Sequence, residues 1–185
     1  KLVGWSLHET HSEPHARRLI TATCRRIGVD RDQLVIHADR GSPMIAGTVA
    51  ELLNELGVGK SHSRPRVSND NPFIEAHFKT LKYRPDFPER FGSLVDAREH
   101  LGRFFTWYNE EHRHSGIGYL TPADVHSGRA AEVLERRQRV LAEAFAAHPD
   151  RFPGRGPRTL SLPPEVWINQ PTEAVAVAAA PVARE

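Results

Sequence analysis

One cysteine, Cys24, and one methionine occur in 185 residues. A lone cysteine excludes an internal disulfide framework and a cysteine-based zinc module, and it suits a reducing compartment. No apolar run approaches the ~20 residues of a membrane span, so no membrane partner is expected. There is no Gly-rich phosphate loop, no internal repeat, and no Ser/His/Asp spacing that suggests a nucleophilic triad. Charge of one sign is also missing. Lys and Arg number 25 against 23 Asp and Glu, a net charge of +2. Overall charge therefore does not argue for nucleic acid, and any such argument rests on where the charges sit. What is present is 39% hydrophobic and 26% charged. That is a globular composition in a chain long enough for one domain with a core.

Strand and helix signals alternate, then helices take over. Residues 1–7 read as a strand; a chain opening inside a strand is expected to be a piece of something longer. Leu19, Ile20, Cys24 and Ile27 recur at helical spacing over 13–27, and Gly28 fits the stop. Residues 34–38 form a short apolar run that ends in Asp39-Arg40-Gly41, a buried strand followed by a sharp turn. Ile45, Val49, Leu52, Leu53 and Leu56 mark a helix closed by Gly57. A short strand fits 58–63. Ser68-Asn69-Asp70-Asn71-Pro72 is a turn cluster able to cap a helix over 73–83. Ser93 is a good N-cap for a long helix, and Thr121-Pro122 starts another. A helical stripe runs from Ala130 to Phe145, in one piece or two. The order is that of an α/β fold with a C-terminal helical extension.

Two carboxylates occupy distinctive places. Asp39 ends a strand, and sites in open α/β sheets form at the carboxyl ends of strands. Glu75 lies in the first turn of the next helix but one, after the chain has had one helix and one short strand in which to return. Close carboxylates repel, and a divalent cation resolves the conflict. Two such ions ~3.5–4 Å apart can grip the attacking and leaving oxygens of a phosphoryl displacement. Each acid also has a plain reading: Asp39 as a turn residue, Glu75 as a helix-start acid. At ~100° per residue, Lys79 lies ~40° from Glu75 and Lys82 ~20° on the other side, so all three share a face. Ile74, Phe78 and Leu81 form the adjacent apolar stripe, expected to pack on the sheet. The alternative is a solvated face with a Glu-to-Lys pair worth ~0.2–0.5 kcal/mol.

Taken together, these segments resemble the integrase core of DDE transposases from bacterial insertion sequences, relatives of retroviral integrases. The resemblance is carried by Leu2-Val3-Gly4-Trp5, by His37-Ala38-Asp39-Arg40-Gly41-Ser42, and by the run from Ser68 through Asn71-Pro72-Phe73-Ile74-Glu75. It continues through Phe78-Lys79-Thr80-Leu81-Lys82-Tyr83, Trp107-Tyr108-Asn109, His112-Arg113-His114 and Leu120-Thr121-Pro122. Thirty-five residues lie between Asp39 and Glu75, a spacing typical of that family. The resemblance implies a ribonuclease-H-like mixed sheet flanked by helices, here without its first strands. It implies that Asp39 and Glu75 are the second and third acids of a catalytic triad that binds Mg2+ or Mn2+. It implies contacts from Lys79, Lys82, Asn71 and Arg113 to DNA, namely transposon ends and target. It further implies a cytoplasmic, nucleoid-associated protein that is a homo-oligomer when full-length.

The first acid of the triad has no counterpart here. Glu9, Glu13, Asp30 and Asp32 fall in turns or at helix ends. The 185 residues are accordingly expected not to form a competent active site alone. Three functions stay open: the core of an active transposase, a DNA-binding fragment without chemistry, or a remnant. The expected organisation is a partial catalytic core over 1–125, a helical extension over 126–150 and a Pro/Ala-rich disordered tail over 151–185. Among eleven histidines, His37 reads as structural, and His112 with His114 lacks the ligand set of a zinc site. Lys60, Arg64, Arg66, Lys79, Lys82 and Arg84 form one basic cluster suited to DNA phosphates. Arg136, Arg137, Arg139, Arg151, Arg155 and Arg158 form a second, equally readable as solvated surface.

Overall fold

The structure, a computed structural model, describes residues 1–65, 67, 70–152, 154, 156–163 and 165–167. Arg66, Ser68, Asn69 and Arg155, and residues 168–185 of the tail expected over 151–185, lie outside the described residues. The element order is α1 (Glu13–Ile27), β1 (Val35–Ala38), α2 (Ser42–Ile45), α3 (Gly47–Leu56), β2 (Gly59–His62), α4 (Pro72–Lys82), α5 (Leu94–Glu110), α6 (Pro122–His126) and α7 (Ala130–Ala147). This is a mixed α/β chain, mostly helical.

The only strands among the described residues are β1 and β2, which pair in parallel with Val35 opposite Gly59 and Ala38 opposite His62. A parallel pair needs a crossover, and α2 and α3 supply it. Helix α3 stops where Gly57 turns left-handed (φ 63°) and its amide bonds back to the α3 carbonyls of Asn54 and Leu53. A side chain there would also collide with Arg31. The turn delivers Val58 into the core and starts β2 at the next residue. Ile20 and Cys24 of α1, Val49, Leu52 and Leu53 of α3, and Val58 form this core, with Leu34, Ile36 and Met44 packed against it.

Two expectations are corrected. Residues 1–7 form no strand. Leu2 instead pairs with a side chain: its amide donates to Asn109 Oδ1 at 2.8 Å, and Asn109 Nδ2 donates to its carbonyl at 3.0 Å. One carboxamide on α5 thus offers the donor and acceptor that a neighbouring strand would. The expected single helix over 45–56 is broken at Ala46, whose ψ of 139° is extended, which divides α2 from α3. Further along, Ser93 caps α5 by accepting from the Asp96 amide. Thr121 and Asp124 form a reciprocal capping box on α6. The stripe from Ala130 is one helix, α7.

Two smaller cores lie beyond the sheet. Leu81 of α4 packs on Phe104 and Phe105 of α5, joined by Leu2, Leu101 and Trp107. Leu120, Ala130 and Val133 form the other, with Ile117 and Leu162. No helix among the described residues is long and apolar enough to cross a membrane.

Candidate two-carboxylate cleft

Asp39 follows directly on β1, so the strand's end sets its position. Its Oδ1 accepts the Gly41 amide at 3.1 Å, a local bond that turns the chain. Its backbone carbonyl accepts from His62 Nδ1 on β2 at 3.1 Å. The carboxylate is exposed. Strand β1 itself is only half-buried, with Val35 64% exposed, where a buried strand was expected.

Glu75 sits in the first turn of α4. Its amide bonds to the Asn71 carbonyl at 3.3 Å, which begins the helix. Asn71 holds the N-cap position, but its side chain makes no cap bond; Pro72 opens the helix instead. Asp39, Glu75 and Asn71 line one open cleft of about 550 Å³, together with His37, Ala38, Ser63, Val67, Ile74 and Phe78. The two acids picked out by their places in the sequence therefore come to one surface depression.

A network missed by sequence reasoning ties this cleft together. Asp70 is buried, and its carboxylate accepts from the Arg64 amide at 2.7 Å, from Arg64 Nε at 3.0 Å and from Nη2 at 2.9 Å. That fork closes the loop between β2 and α4. His37 Nε2 donates to the Asp70 carbonyl at 2.8 Å. In that tautomer its Nδ1 accepts from the Ser61 hydroxyl at 3.0 Å. A β1 side chain thus spans β2 and the lead-in to α4, the structural role expected of His37. The signal lay in the sequence, an Arg six residues before an Asp across a Pro-containing loop, but bidentate pairing shows only in three dimensions.

The basic residues divide. Lys79 and Lys82 are exposed on α4, and neither lines the cleft. Glu75 and Lys79 are not among the ion pairs of the described residues, so the surface-pair alternative is not realised. Arg64 is neutralised by Asp70. Arg84 stacks 4.0 Å over the Trp107 ring and pairs with Asp86 at 2.7 Å. Both arginines of the expected basic cluster are thus engaged with a carboxylate within the chain, while the Arg64 side chain stays 64% exposed. Arg113 lines a different cleft, with Tyr119, Arg136, Arg137 and Arg158.

The stripe expected to pack on the sheet is corrected as well. Ile74 and Phe78 are exposed, on the cleft wall, and α4 buries His77 and Leu81 against α5. His77 lies edge-on to Tyr108 at 4.3 Å and stacks on Phe105 at 5.7 Å. Burial holds its pKa below the ordinary histidine value. His112 and His114 are lowered for the same leading reason.

No cluster of three or more His, Cys, Asp or Glu side chains able to hold a metal occurs among the described residues. The chemistry of the two donors, hard carboxylate oxygens, is of the kind a divalent cation takes. Both acids are exposed carboxylates on one cleft, and such ions commonly take one or two carboxylates plus water and phosphate oxygens.

A family model described as an integrase core domain matches residues 56–122, a span that includes Glu75 but begins after Asp39. The chain is 29% identical over 127 residues to the transposase for insertion sequence element IS904 of Lactococcus lactis. That alignment covers 67% of this chain and 49% of the relative. Over 120 residues it is 29% identical to the putative transposase InsD for insertion element IS2E of Escherichia coli, covering 63% and 54%. The transposase InsD for IS2A/D/F/H/I/K of the same species matches at 29%, with 39% of its length covered. The chain thus spans about half, or less, of these relatives.

Proposed function

From the premise that the chain carries an integrase core segment and is related to insertion-sequence transposases, we propose that it forms part of the DNA-cleaving and joining core of such an enzyme. The observation that carries this reading is the convergence of Asp39 and Glu75 on one open cleft. Asp39 and Glu75 act as the second and third acids of the triad, and the first is contributed from outside these 185 residues. The finer architecture is ribonuclease-H-like, with further strands added at the edge of β1 away from β2. That edge has no ladder partner among the described residues, and the half-exposed strand beside it agrees. The partial core spans 1–125, the helical extension 126–150, and 151–185 is a tail.

In this reading Asp39 and Glu75 would hold Mg2+ or Mn2+, which when bound would supply Lewis-acid stabilisation to a phosphodiester. The chain's own contribution is position. The Gly41 amide fixes one Asp39 oxygen and leaves the other open. The His37–Asp70–Arg64 network sets the start of α4, and with it Glu75, relative to β1. Lys79 and Lys82, exposed and outside any ion pair among the described residues, hold DNA phosphates. Such positioning and charge stabilisation are what phosphoryl transfer asks of a protein. DNA is the partner, the working form is a homo-oligomer, and the compartment is the bacterial cytoplasm.

The donor set of two carboxylates favours one second reading, a chain that binds DNA without cutting it. A single assay separates the two. Metal-dependent nicking and strand transfer are measured for these 185 residues and for the full-length transposase that contains them. The proposal expects activity only in the longer protein, with Asp39→Asn and Glu75→Gln each lowering it at least a thousandfold. Robust activity that survives both substitutions contradicts it.

A further inference from the structure

The cleft that receives Arg113 lies apart from the two-carboxylate cleft and is built differently. It measures about 610 Å³ and is lined by Arg113, Tyr119, Arg136, Arg137 and Arg158 together with the apolar side chains of Val140, Leu141 and Leu160. One wall is α7. The other is the segment 157–160, and a single side chain docks it: Gln138 Nε2 donates to the Pro157 carbonyl at 3.1 Å, and Gln138 Oε1 accepts the Thr159 amide at 3.0 Å. Gly118 closes the end. Its φ is +65°, and a side chain there would press on the Leu160 carbonyl.

Arg137 is spent on construction. Its Nη1 and Nη2 donate to the carbonyls of Gly118 and Tyr119 at 2.9 and 2.7 Å. Arg113, Arg136 and Arg158 are exposed and have no ion pair or hydrogen bond among the described residues. Burial first, and then the positive charge of Arg113, hold the Arg137 pKa below its ordinary value. Asp124, the carboxylate felt by Arg113 and Arg137, is already engaged with the Thr121 amide and Arg129.

Tyr119 adds a second kind of contact. Its φ is +55°, a region costly for a residue with a side chain. Two bonds hold it there: its amide to the His114 carbonyl at 2.8 Å, and Arg137 on its own carbonyl. The ring so fixed is 53% exposed. A strained backbone that displays an aromatic ring beside three uncommitted guanidiniums matches what an unpaired strand needs: cations tracking phosphates and a platform for bases. A duplex buries its base faces and would leave Tyr119 idle.

We propose that this cleft binds a single-stranded segment of DNA, with Arg113, Arg136 and Arg158 on its phosphates and Tyr119 stacked on a base. The inference rests on the transposase reading only for DNA as the polyanion. It concerns a surface mostly beyond the matched residues 56–122, and no metal takes part.

The test is fluorescence anisotropy of a labelled 15-mer oligothymidylate with the 185-residue chain in EDTA, across salt. EDTA separates the outcome from that of the carboxylate cleft, since each can fail while the other stands. The substituted side chains are all exposed, and circular dichroism checks the fold of each variant. Arg136→Ala/Arg158→Ala weakens binding at least tenfold and reduces the salt slope by about 1.4, at roughly 0.7 per phosphate contact. Tyr119→Phe stays within twofold of wild type, whereas Tyr119→Leu loses at least fivefold. A double variant within twofold of wild type overturns the proposal, as does a Leu variant equal to the Phe variant. So does a blunt duplex bound equally well, or polyglutamate displacing the strand as effectively as DNA does.

Discussion

His77 is a buried histidine in an aromatic seam, with Tyr108, Phe104 and Phe105 packed round its ring. Its Nε2 is buried without a hydrogen-bond partner among the described residues, as is that of His114. His112 lies 4.3 Å from His114. All three have pKa values lowered from 6.5, chiefly by burial. The unfolded chain therefore binds more protons than the folded one just below that value, so stability rises with pH there. Their contribution is full above about pH 6.5 and is lost as pH falls through the lower folded values. Urea midpoints taken from pH 8 to pH 5 should fall, and His77→Phe should flatten the fall. A midpoint independent of pH over that range would contradict this account. Asn109 makes a second residue-scale prediction: Asn109→Ala removes both bonds to Leu2 and costs about 1–2 kcal/mol by urea unfolding.

At the scale of elements, the caps carry much of the order. Thr121→Ala breaks the capping box of α6 and should cost about 1 kcal/mol. Leu120→Ala, at a residue with no exposed surface, should cost about 2–5 kcal/mol. Equal costs for the two in denaturant titrations would show that the small core around Leu120 is not packed as described. Most elements were legible beforehand for the same reason that these predictions can be made. Helix α1 has its apolar spacing and its stop in Gly28, while α5 and α6 announce themselves through Ser93 and Thr121. Residues 1–7 misled because Leu2, Val3 and Trp5 have strand composition, yet composition does not provide a ladder partner. Ile74 and Phe78 misled because an apolar stripe identifies a buried face only if something covers it. Here α5 covers the face of Leu81 and His77. That Asp39 and Glu75 line one cleft was readable from strand end and helix start. The Arg64–Asp70 and Arg84–Trp107 pairings were not, because they depend on which loops close.

At the scale of the molecule, the described residues are mostly helical with one two-stranded sheet, and two of their clefts are unlike in chemistry. One is lined by Asp39 and Glu75; the other by arginines beside apolar side chains. Lys79 and Lys82 are exposed on α4, outside the first cleft's lining, and the proposed function gives them DNA phosphates. Lys79→Ala/Lys82→Ala should weaken duplex DNA binding and lower its salt slope by about 1.8, at roughly 0.9 per phosphate. An unchanged slope would remove α4 from the DNA interface. The proposed function depends on the carboxylates acting jointly on one cation, and titration of the chain with Mn2+, read by electron paramagnetic resonance, measures that directly. Asp39→Asn and Glu75→Gln should each weaken Mn2+ binding at least tenfold, and the double variant should lose less than the product of the two. Affinity untouched by either substitution, or losses that multiply independently, would contradict the shared site.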